Sequence, residues 1–334
     1  MSASSFSGFP ADARILGLDI GSISVDVVLL DGLGTPLYSR YVRHHGQPDK
    51  VLCAELEALE RTHAGIAAAV TGTGADRVGR LLGACAVNEV IAQVAAASFR
   101  CPQARSVIDI GGQDSKYIQL EPAGEGDGLR LKDFSVSSMC ASGTGSFLDQ
   151  QATRLGLDIE TEFGEAALRS RAPARIAGRC SVFAKSDMIH LQQKGTPVED
   201  IVAGLCHALA RSFKANVVGV KALELPVALV GGVAANAGVV KALRSVLHLE
   251  EDGLFVPEDF ALSGAFGAAL FLLGGQGEAV PYKGLAAFRE GLRQRVTMKT
   301  LVPLQPVSVS PPGCRGSSDA GPKVSAGFMP LLRP

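Results

Sequence analysis

The sequence predicts an α/β fold made of two domains of similar topology with a cleft between them. Three observations lead to this prediction. A strand, a glycine turn and a second strand follow one another from Arg14, and the same order returns from Ser106. The tripeptide Asp-Ile-Gly opens the turn in both copies, at Asp19 and at Asp109, which is typical of a duplication. The 39 glycines in 334 residues suit a chain with many tight turns.

Apolar periodicity predicts the individual elements. Residues 14–20 form an apolar run, and residues 23–29 then alternate between apolar and polar side chains, as expected for a half-buried strand. A third strand is expected over 36–42, and a short buried strand over 226–230. Helical spacing predicts helices at about 49–66, 88–98, 145–155, 198–218 and 236–247.

Composition shifts predict the domain boundaries. A length of 334 residues can bury enough core for two domains. Seven of the 17 prolines fall in residues 302–334, which indicates a disordered tail. The predicted segments are a disordered leader (1–13), an N-terminal domain (14–103) completed by a helix near 262–274, a C-terminal domain (104–261), an extension (275–301) and the tail (302–334).

Charge, hydropathy and cysteine content exclude several functional classes. A net charge of −1 gives no overall attraction to nucleic acid or to anionic membranes. No basic, apolar leader and no apolar segment long enough to cross a bilayer is found, so we expect a cytoplasmic protein. The seven cysteines are odd in number and widely spaced, which favours free thiols or metal ligands over a disulfide framework.

Three glycine turns are candidates for nucleotide binding. The first spans 19–24, the second 109–114 and the third 229–236. Glycine lets the backbone approach a phosphate, serine hydroxyls and turn amides donate to it, and a carboxylate can hold Mg²⁺ through water. Any one of these segments alone favours the interpretation as an ordinary tight turn.

The order of the three turns narrows the fold. A strand rather than a helix follows the first turn, which disfavours a Rossmann or P-loop site. Two acid-tipped hairpins with a third glycine turn between them resemble the superfamily of actin, sugar kinases and heat-shock chaperone ATPases. The fold expected from this resemblance is a pair of duplicated actin-like, or ribonuclease H-like, ATPase domains with a nucleotide cleft between them.

Two cysteines have a distinctive setting. Cys140 precedes the glycines that open a predicted helix, and Cys180 follows Arg179 at the expected start of another. The helix dipole and the free amides at such positions favour a thiolate or an anionic metal cluster. Two cysteines cannot complete a Cys₄ site, but two copies of the chain can, with one [4Fe–4S] cluster at a homodimer interface. The alternative is that both are small buried side chains.

The other five cysteines have no such setting. Four are expected to be small buried core residues, namely Cys53, Cys85, Cys101 and Cys206. Cys314 falls in the predicted tail, where no role is evident.

Between about Ile15 and Leu273 the chain resembles the activators of 2-hydroxyacyl-CoA dehydratases, relatives of the ATP-binding subunits of benzoyl-CoA reductase. The most specific segment is 140–148, Cys-Ala-Ser-Gly-Thr-Gly-Ser-Phe-Leu, which is similar to the family's cysteine–glycine signature. Residues 179–187 look like the segment that carries the second cluster cysteine. Residues 109–116 and 231–236 match the family's nucleotide motifs.

The resemblance implies a specific activity. Members are homodimers that hold one oxygen-sensitive [4Fe–4S] cluster between the subunits and bind ATP in each subunit. Reduced ferredoxin or flavodoxin supplies one electron. Binding and hydrolysis of ATP with Mg²⁺ reshape the dimer and drive that electron at low potential to a partner iron–sulfur dehydratase or reductase. In this chain Cys140 and Cys180 would be the cluster ligands.

The resemblance also assigns the nucleotide site. The nucleotide-binding residues would be Asp19, Gly21, Ser22, Ser24, Gly111, Gly112, Gln113, Asp114, Gly231, Gly232, Val233 and Ala234. Asp19 and Asp109 would hold Mg²⁺ through water, and Asp109 would also position the attacking water. Glu89 is a further candidate for orienting that water, the alternative being a surface or helix-capping acid.

Alternatives remain at this stage. Four residues depart from the family pattern and leave the partner and its substrate open, namely Gln93, Ser146, Lys185 and His190. A sugar or amino-sugar kinase of the same superfamily would use the same glycine turns with an acid as base. It would not need cysteines at helix starts. A non-catalytic ATP-binding regulator would bind nucleotide without redox activity.

Overall fold

The structure is a computed structural model, and it describes residues 9–124, 128–137, 143–178, 180–278 and 280–296. Its strands are β1 (Arg14–Ile20), β2 (Ser24–Leu30), β3 (Pro36–Arg43), β4 (Ile66–Thr71), β5 (Cys85–Ala86), β6 (Ser106–Ile110), β7 (Ser115–Pro122), β8 (Leu129–Ser137), β9 (Val227–Val230) and β10 (Leu254–Phe255). Its helices are α1 (Pro48–Glu60), α2 (Ala75–Leu82), α3 (Glu89–Arg100), α4 (Gly145–Leu155), α5 (Phe163–Leu168), α6 (Ser181–Gln193), α7 (Val198–Phe213), α8 (Ala237–Leu247), α9 (Ser263–Leu273) and α10 (Gly284–Val296).

The strands form two sheets with the same topology. The first has the order β3-β2-β1-β4-β5 and the second β8-β7-β6-β9-β10. In each sheet the first three strands are an antiparallel meander, and the remaining two pair in parallel. The α/β class and the duplication predicted from the two Asp-Ile-Gly hairpins are therefore confirmed.

Helix α9 completes the core of the first sheet although it lies far along the chain. A Cβ atom at Gly17 on β1 would overlap the carbonyl oxygen of Ala265, so the helix backbone packs directly on the strand. Phe266 and Leu273 are buried against Ile15 on this face. The opposite face of the sheet is covered by α1, α2 and α10. The helix predicted near 262–274 is thus present.

The second sheet packs between two helical layers. Helices α4, α5, α7 and α8 bury a core that includes Phe147, Phe163 and Phe213. Helix α3 covers the other face, where Val90 and Val94 contact the β6–β7 hairpin. Helix α3 also packs along α9. It therefore touches both halves of the molecule, beside the ends of β1 and β6.

Several elements differ from the sequence prediction. The first helix ends at Glu60 rather than near residue 66, and Gly65, with a positive φ of 66°, immediately precedes β4. Helix α2 was not predicted. The helix expected over 198–218 is α-helical only to Phe213 and finishes as one π-helical turn.

Both predicted disordered ends lie mostly outside the described residues. Within the expected leader, Ala11 O accepts a hydrogen bond from Gly32 N at 3.1 Å, so residues 9–13 contact the β2–β3 turn. Within the expected extension, α10 buries Phe288 against the first sheet. None of the helices described combines the length and the apolar character needed to cross a bilayer.

Candidate functional site

A cleft of about 860 Å³ lies between the two sheets. This volume is within the range of small-molecule and cofactor sites. All three predicted glycine turns line it. The predicted nucleotide-site residues in its wall are Asp19, Gly21, Ser22, Ser24, Glu89, Asp109, Gly111, Gly112, Gln113, Asp114, Gly231, Gly232 and Val233. Ala234 is not among the residues that line the cleft, because its side chain is buried in the core of the second sheet behind the third turn.

Asp19 stands at the end of β1 with two glycines against its carboxylate. A Cβ atom at Gly72 would overlap Oδ1, and one at Gly264 would overlap Oδ2. Gly72 also has a φ of 86°, which favours glycine. Burial raises the pKa of Asp19 to about 7, and the nearby carboxylates of Glu89 and Asp109 act in the same direction. The two glycines thus leave room for the Asp19 carboxyl group, and its raised pKa disfavours the ionised form.

Asp109 has the equivalent position at the end of β6. Gly231, with a φ of 85°, follows β9 as Gly72 follows β4, and its Cβ would lie 2.5 Å from Asp109 Oδ1. Gln93 Nε2 donates a hydrogen bond to Asp109 Oδ2 at 3.1 Å. Ser263 in turn donates to Gln93 Oε1 at 2.6 Å. Burial raises the pKa of Asp109.

Lys116 is the cation at the centre of this half of the cleft. Its Nζ lies 2.7 Å from Glu89, 2.8 Å from Asp114 and 3.5 Å from Asp109. These carboxylates hold the pKa of Lys116 above its usual value despite burial. Sequence reasoning did not select Lys116 as a site residue. The signal was available, because hairpin register pairs it directly with Asp109.

The second glycine turn contacts both the first glycine turn and the start of helix α4. A Cβ atom at Gly112 would overlap Ile23 of the first turn, so the two hairpin tips are in contact. Gly145 N donates a hydrogen bond to Gly111 O at 2.8 Å. The first turn of α4 is therefore tied to the second glycine turn. Ser146, one of the departures noted in the sequence, reinforces this link by donating to Gly112 O.

The rim of the cleft is closed by contacts between the halves. Arg43 Nη2 lies 2.9 Å from Asp149 of α4, and Nη1 lies 3.3 Å from Glu160. The hydroxyl of Tyr41 approaches Gly232 of the third turn. These contacts were not predicted, since no local sequence pattern relates β3 to residues more than a hundred positions away.

Cys180 lies away from the cleft, as the residue that precedes α6. It is half-exposed with an extended backbone, and its side chain makes no capping hydrogen bond. Val182 and Phe183 in the first turn of α6 are each 66% exposed. Cys140 and Arg179 lie outside the described residues. Within the part of the chain that is described, no three His, Cys, Asp or Glu residues are grouped for metal binding.

Four further cysteines can be compared with the prediction of burial. Cys101 and Cys206 are buried, as expected, whereas Cys53 and Cys85 are only half-buried. Burial raises the pKa of Cys206 to about 12, which leaves its thiol protonated and inert.

A family model for the BadF/BadG/BcrA/BcrD ATPase family matches residues 16–271. The chain belongs to this ATPase family. The match covers both sheets and all three glycine turns, so the resemblance stated from the sequence motifs is confirmed.

Two curated relatives are dehydratase activators. The chain is 35% identical to the 2-hydroxyisocaproyl-CoA dehydratase activator of Clostridioides difficile over 185 residues, which are 55% of this chain and 66% of that protein. It is 32% identical to the activator of lactoyl-CoA dehydratase of Anaerotignum propionicum over 260 residues, 77% of this chain and 96% of that protein.

A solved structure of a family member supports the fold. It is the activator of the 2-hydroxyisocaproyl-CoA dehydratase from Clostridium difficile with bound ADPNP. It superposes with a TM-score of 0.68 and 30% identity, and covers 86% of this chain and 99% of its own. The predicted duplicated actin-like ATPase fold is therefore confirmed for this family member.

Proposed function

We propose that the protein is an ATP-dependent activator that couples ATP hydrolysis to single-electron transfer toward a partner iron–sulfur enzyme, such as a 2-hydroxyacyl-CoA dehydratase or a related reductase. The active form would be a homodimer that holds one [4Fe–4S] cluster and receives its electron from ferredoxin or flavodoxin. The observation that carries the proposal is the cleft itself, where glycine turns and acids from both duplicated hairpins surround one volume.

The nucleotide phosphates would lie between the first two glycine turns. Ser22 and Ser24 offer hydroxyls from one side, and the amides of residues 111–113 offer donors from the other. Asp19 and Asp109 enter from opposite sheets, as expected for two acids that hold Mg²⁺ through its water ligands. ATP/ADP and Mg²⁺ are the implied ligands of this cleft.

Asp109 is the preferred residue for positioning the attacking water. Its carboxylate is fixed by Gln93 and lies near Lys116, so its orientation is set before a nucleotide binds. Glu89 also lines the cleft, and burial raises its pKa. A carboxylate with a raised pKa can accept a proton near neutral pH. Both are proposed as catalytic residues of hydrolysis.

Cys180 fits the role of a cluster ligand. Its thiol is accessible at a helix start, and the exposed Val182 and Phe183 beside it are suited to contact with a second copy of the chain. Cys140 is proposed as the second ligand from the same subunit. When bound, the cluster would carry the electron, and the two subunits would supply its four thiolates.

The hydrogen bond from Gly145 to Gly111 supports a route between nucleotide and cluster. The second glycine turn would contact phosphate, and α4 starts five residues after Cys140. A shift of this turn on loss of the terminal phosphate would therefore move the start of α4 and the preceding cysteine segment together. This is the proposed chemomechanical switch.

Iron and acid-labile sulfide per chain, measured on anaerobically purified protein, test the proposal. We expect four of each per dimer, with loss in both Cys140→Ala and Cys180→Ala. Cys206→Ala is the matched control, because that thiol is buried in the core of the second sheet. Iron-free protein whose ATP turnover rises with a sugar would overturn the activator in favour of a kinase.

A further inference from the structure

The two duplicated hairpins differ in charge at one equivalent position. In the second hairpin Asp109 on β6 pairs directly with Lys116 on β7. In the first hairpin Asp19 on β1 pairs with Asp26 on β2. The spacing is the same in both hairpins, because Asp26 follows Asp19 by seven residues and Lys116 follows Asp109 by seven residues. The second pair is an acid with a base. The first is two acids.

Asp26 is buried without a full set of partners. It is 6% exposed and lines the cleft. Ser24 lies beside its carboxyl group, but Oδ1 has no hydrogen-bond partner among the described residues. A buried acceptor without a partner is costly, and such groups are rarely left without a ligand, ion or water. The unpartnered oxygen is therefore available to a ligand, an ion or a water molecule.

The neighbouring cations are engaged elsewhere. Lys116 is shared by three carboxylates of the other hairpin and α3. Arg43 binds Asp149 and Glu160, and Arg40 lies 4.0 Å from Glu55. Across the described ranges, no Lys, Arg or His nitrogen lies within 4.0 Å of the carboxylate of Asp19 or Asp26.

The cleft as a whole has an excess of negative charge. Its described lining has eight carboxylates, namely Asp19, Asp26, Glu89, Asp109, Asp114, Asp149, Glu160 and Glu165. It has three Lys or Arg side chains, namely Arg40, Arg43 and Lys116. Phosphates bound here would add to the imbalance, and like charges at low dielectric repel strongly. A bound divalent cation would offset this excess of negative charge.

We propose that in the nucleotide-free protein Asp19 and Asp26 together bind a divalent cation directly, in place of the lysine that balances the second hairpin. Facing residues of adjacent antiparallel strands have Cβ atoms about 4.5–5.5 Å apart, which lets two carboxylates share one ion. Hard cations such as Mg²⁺ and Mn²⁺ prefer carboxylate and hydroxyl oxygens, and Ser24 adds a hydroxyl beside the pair. The proposal goes beyond the nucleotide site, because it requires neither nucleotide nor cluster.

Titration of the nucleotide-free protein with Mn²⁺, followed by the EPR signal of the free ion, tests the site. We expect one ion per chain that is displaced by excess Mg²⁺. Asp26→Asn should weaken Mn²⁺ binding at least tenfold. Asp26→Lys should abolish it, because the introduced ammonium would pair with Asp19 as Lys116 pairs with Asp109. Asp252→Asn removes an exposed acid and should bind like wild type.

Thermal unfolding in EDTA provides the folding control. Asp26→Lys should unfold at or above the wild-type temperature there, since it replaces a repulsive pair with an attractive one. Absence of Mn²⁺ binding by folded wild-type protein would overturn the proposal. So would unchanged binding in folded Asp26→Asn and Asp26→Lys, which would place the ion among the other acids. Binding of a fluorescent ADP analogue and the iron content are measured in separate experiments. A negative result in either would contradict the proposed function without affecting the conclusion from the Mn²⁺ titration.

Discussion

The Nζ atom of Lys116 lies 2.7 Å from Oε2 of Glu89, so one ion pair joins the second sheet to the first residue of α3. The Lys116 side chain is only 6% exposed, and Asp114 and Asp109 share its charge. Because α3 also packs on α9, this pair connects the acids of the nucleotide cleft to a helix that contacts both halves.

Removing this lysine should strongly destabilise the protein. Lys116→Met would leave three carboxylates without their cation, and breaking a buried charge cluster costs about 3–5 kcal/mol. Denaturant unfolding at neutral pH measures the loss. Lys132→Met is the control, because its pair with Glu224 is largely exposed to solvent and should contribute little to stability. Equal losses in the two variants would contradict the central role of Lys116.

Asp19 should make the nucleotide-free protein less stable as the pH rises. Its pKa is about 7 in the folded state against an ordinary value of 3.8, so between these values the folded state binds the proton more tightly. Stability from this group is therefore present below about pH 4 and lost as the pH rises toward 7. Asp19→Asn should exceed wild type in unfolding free energy by about 2–4 kcal/mol at pH 8, at roughly 1.4 kcal/mol per pKa unit.

The pH dependence of that difference provides the check. In EDTA it should shrink as the pH falls and approach zero below about pH 4, where Asp19 is protonated in both the folded and the unfolded state. Asp133→Asn should instead have a lower unfolding free energy than wild type at neutral pH, since Lys221 and the amide of Phe134 lower the pKa of Asp133. A difference between wild type and Asp19→Asn that does not change with pH would contradict the raised pKa.

The glycine beside Asp109 should tolerate no side chain. In Gly231→Ala the new Cβ would lie 2.5 Å from Asp109 Oδ1, at a φ of 85°. We expect ATP hydrolysis to fall at least tenfold, because the Asp109 carboxylate, which we propose to be catalytic, must move. Gly195→Ala is the matched control, with a φ of 72° and no atom within 4 Å of the new Cβ. It should cost only about 1–2 kcal/mol of strain and leave hydrolysis unchanged.

The bridge from Arg43 to Asp149 should slow nucleotide exchange. Its side chains are 22% and 26% exposed, so the pair should contribute about 1 kcal/mol to closure of the cleft. Arg43→Gln should therefore release a fluorescent ADP about five times faster, as measured by stopped flow. Arg130→Gln removes an exposed surface pair with Glu121 and should release it at the wild-type rate. Identical release rates in both variants would exclude a closing role for Arg43.

Local patterns were sufficient for the parts of the fold that are local. The hairpin turns at Gly21 and Gly111 and the strand before Gly231 were predicted correctly, because each couples apolar alternation to a glycine. Helix α2 was missed because it has only eight residues and opens directly from a glycine turn. The domain boundaries and the roles assigned to individual site residues stay predictions.

The sequence predicted only part of the candidate site. Motif spacing identified the acids and glycines, but not the groups that fix their charge. Lys116 was taken as part of a strand, and Asp26 as one polar position of an alternating pattern. Both needed the strand register to be recognised as partners of Asp109 and Asp19. Arg43 and Asp149 are 106 positions apart, beyond any local pattern.

The packing of α9 on β1 sets an order of assembly. The hydrophobic face of the first sheet is closed by residues 263–273, whereas all strands of the second sheet lie between residues 106 and 255. During synthesis, the half that begins first would be completed only after the whole of the second sheet has left the ribosome. The second half is in effect an insertion within the first, and a chain cut short before Ser263 would expose the apolar surface around Ile15 and Val28.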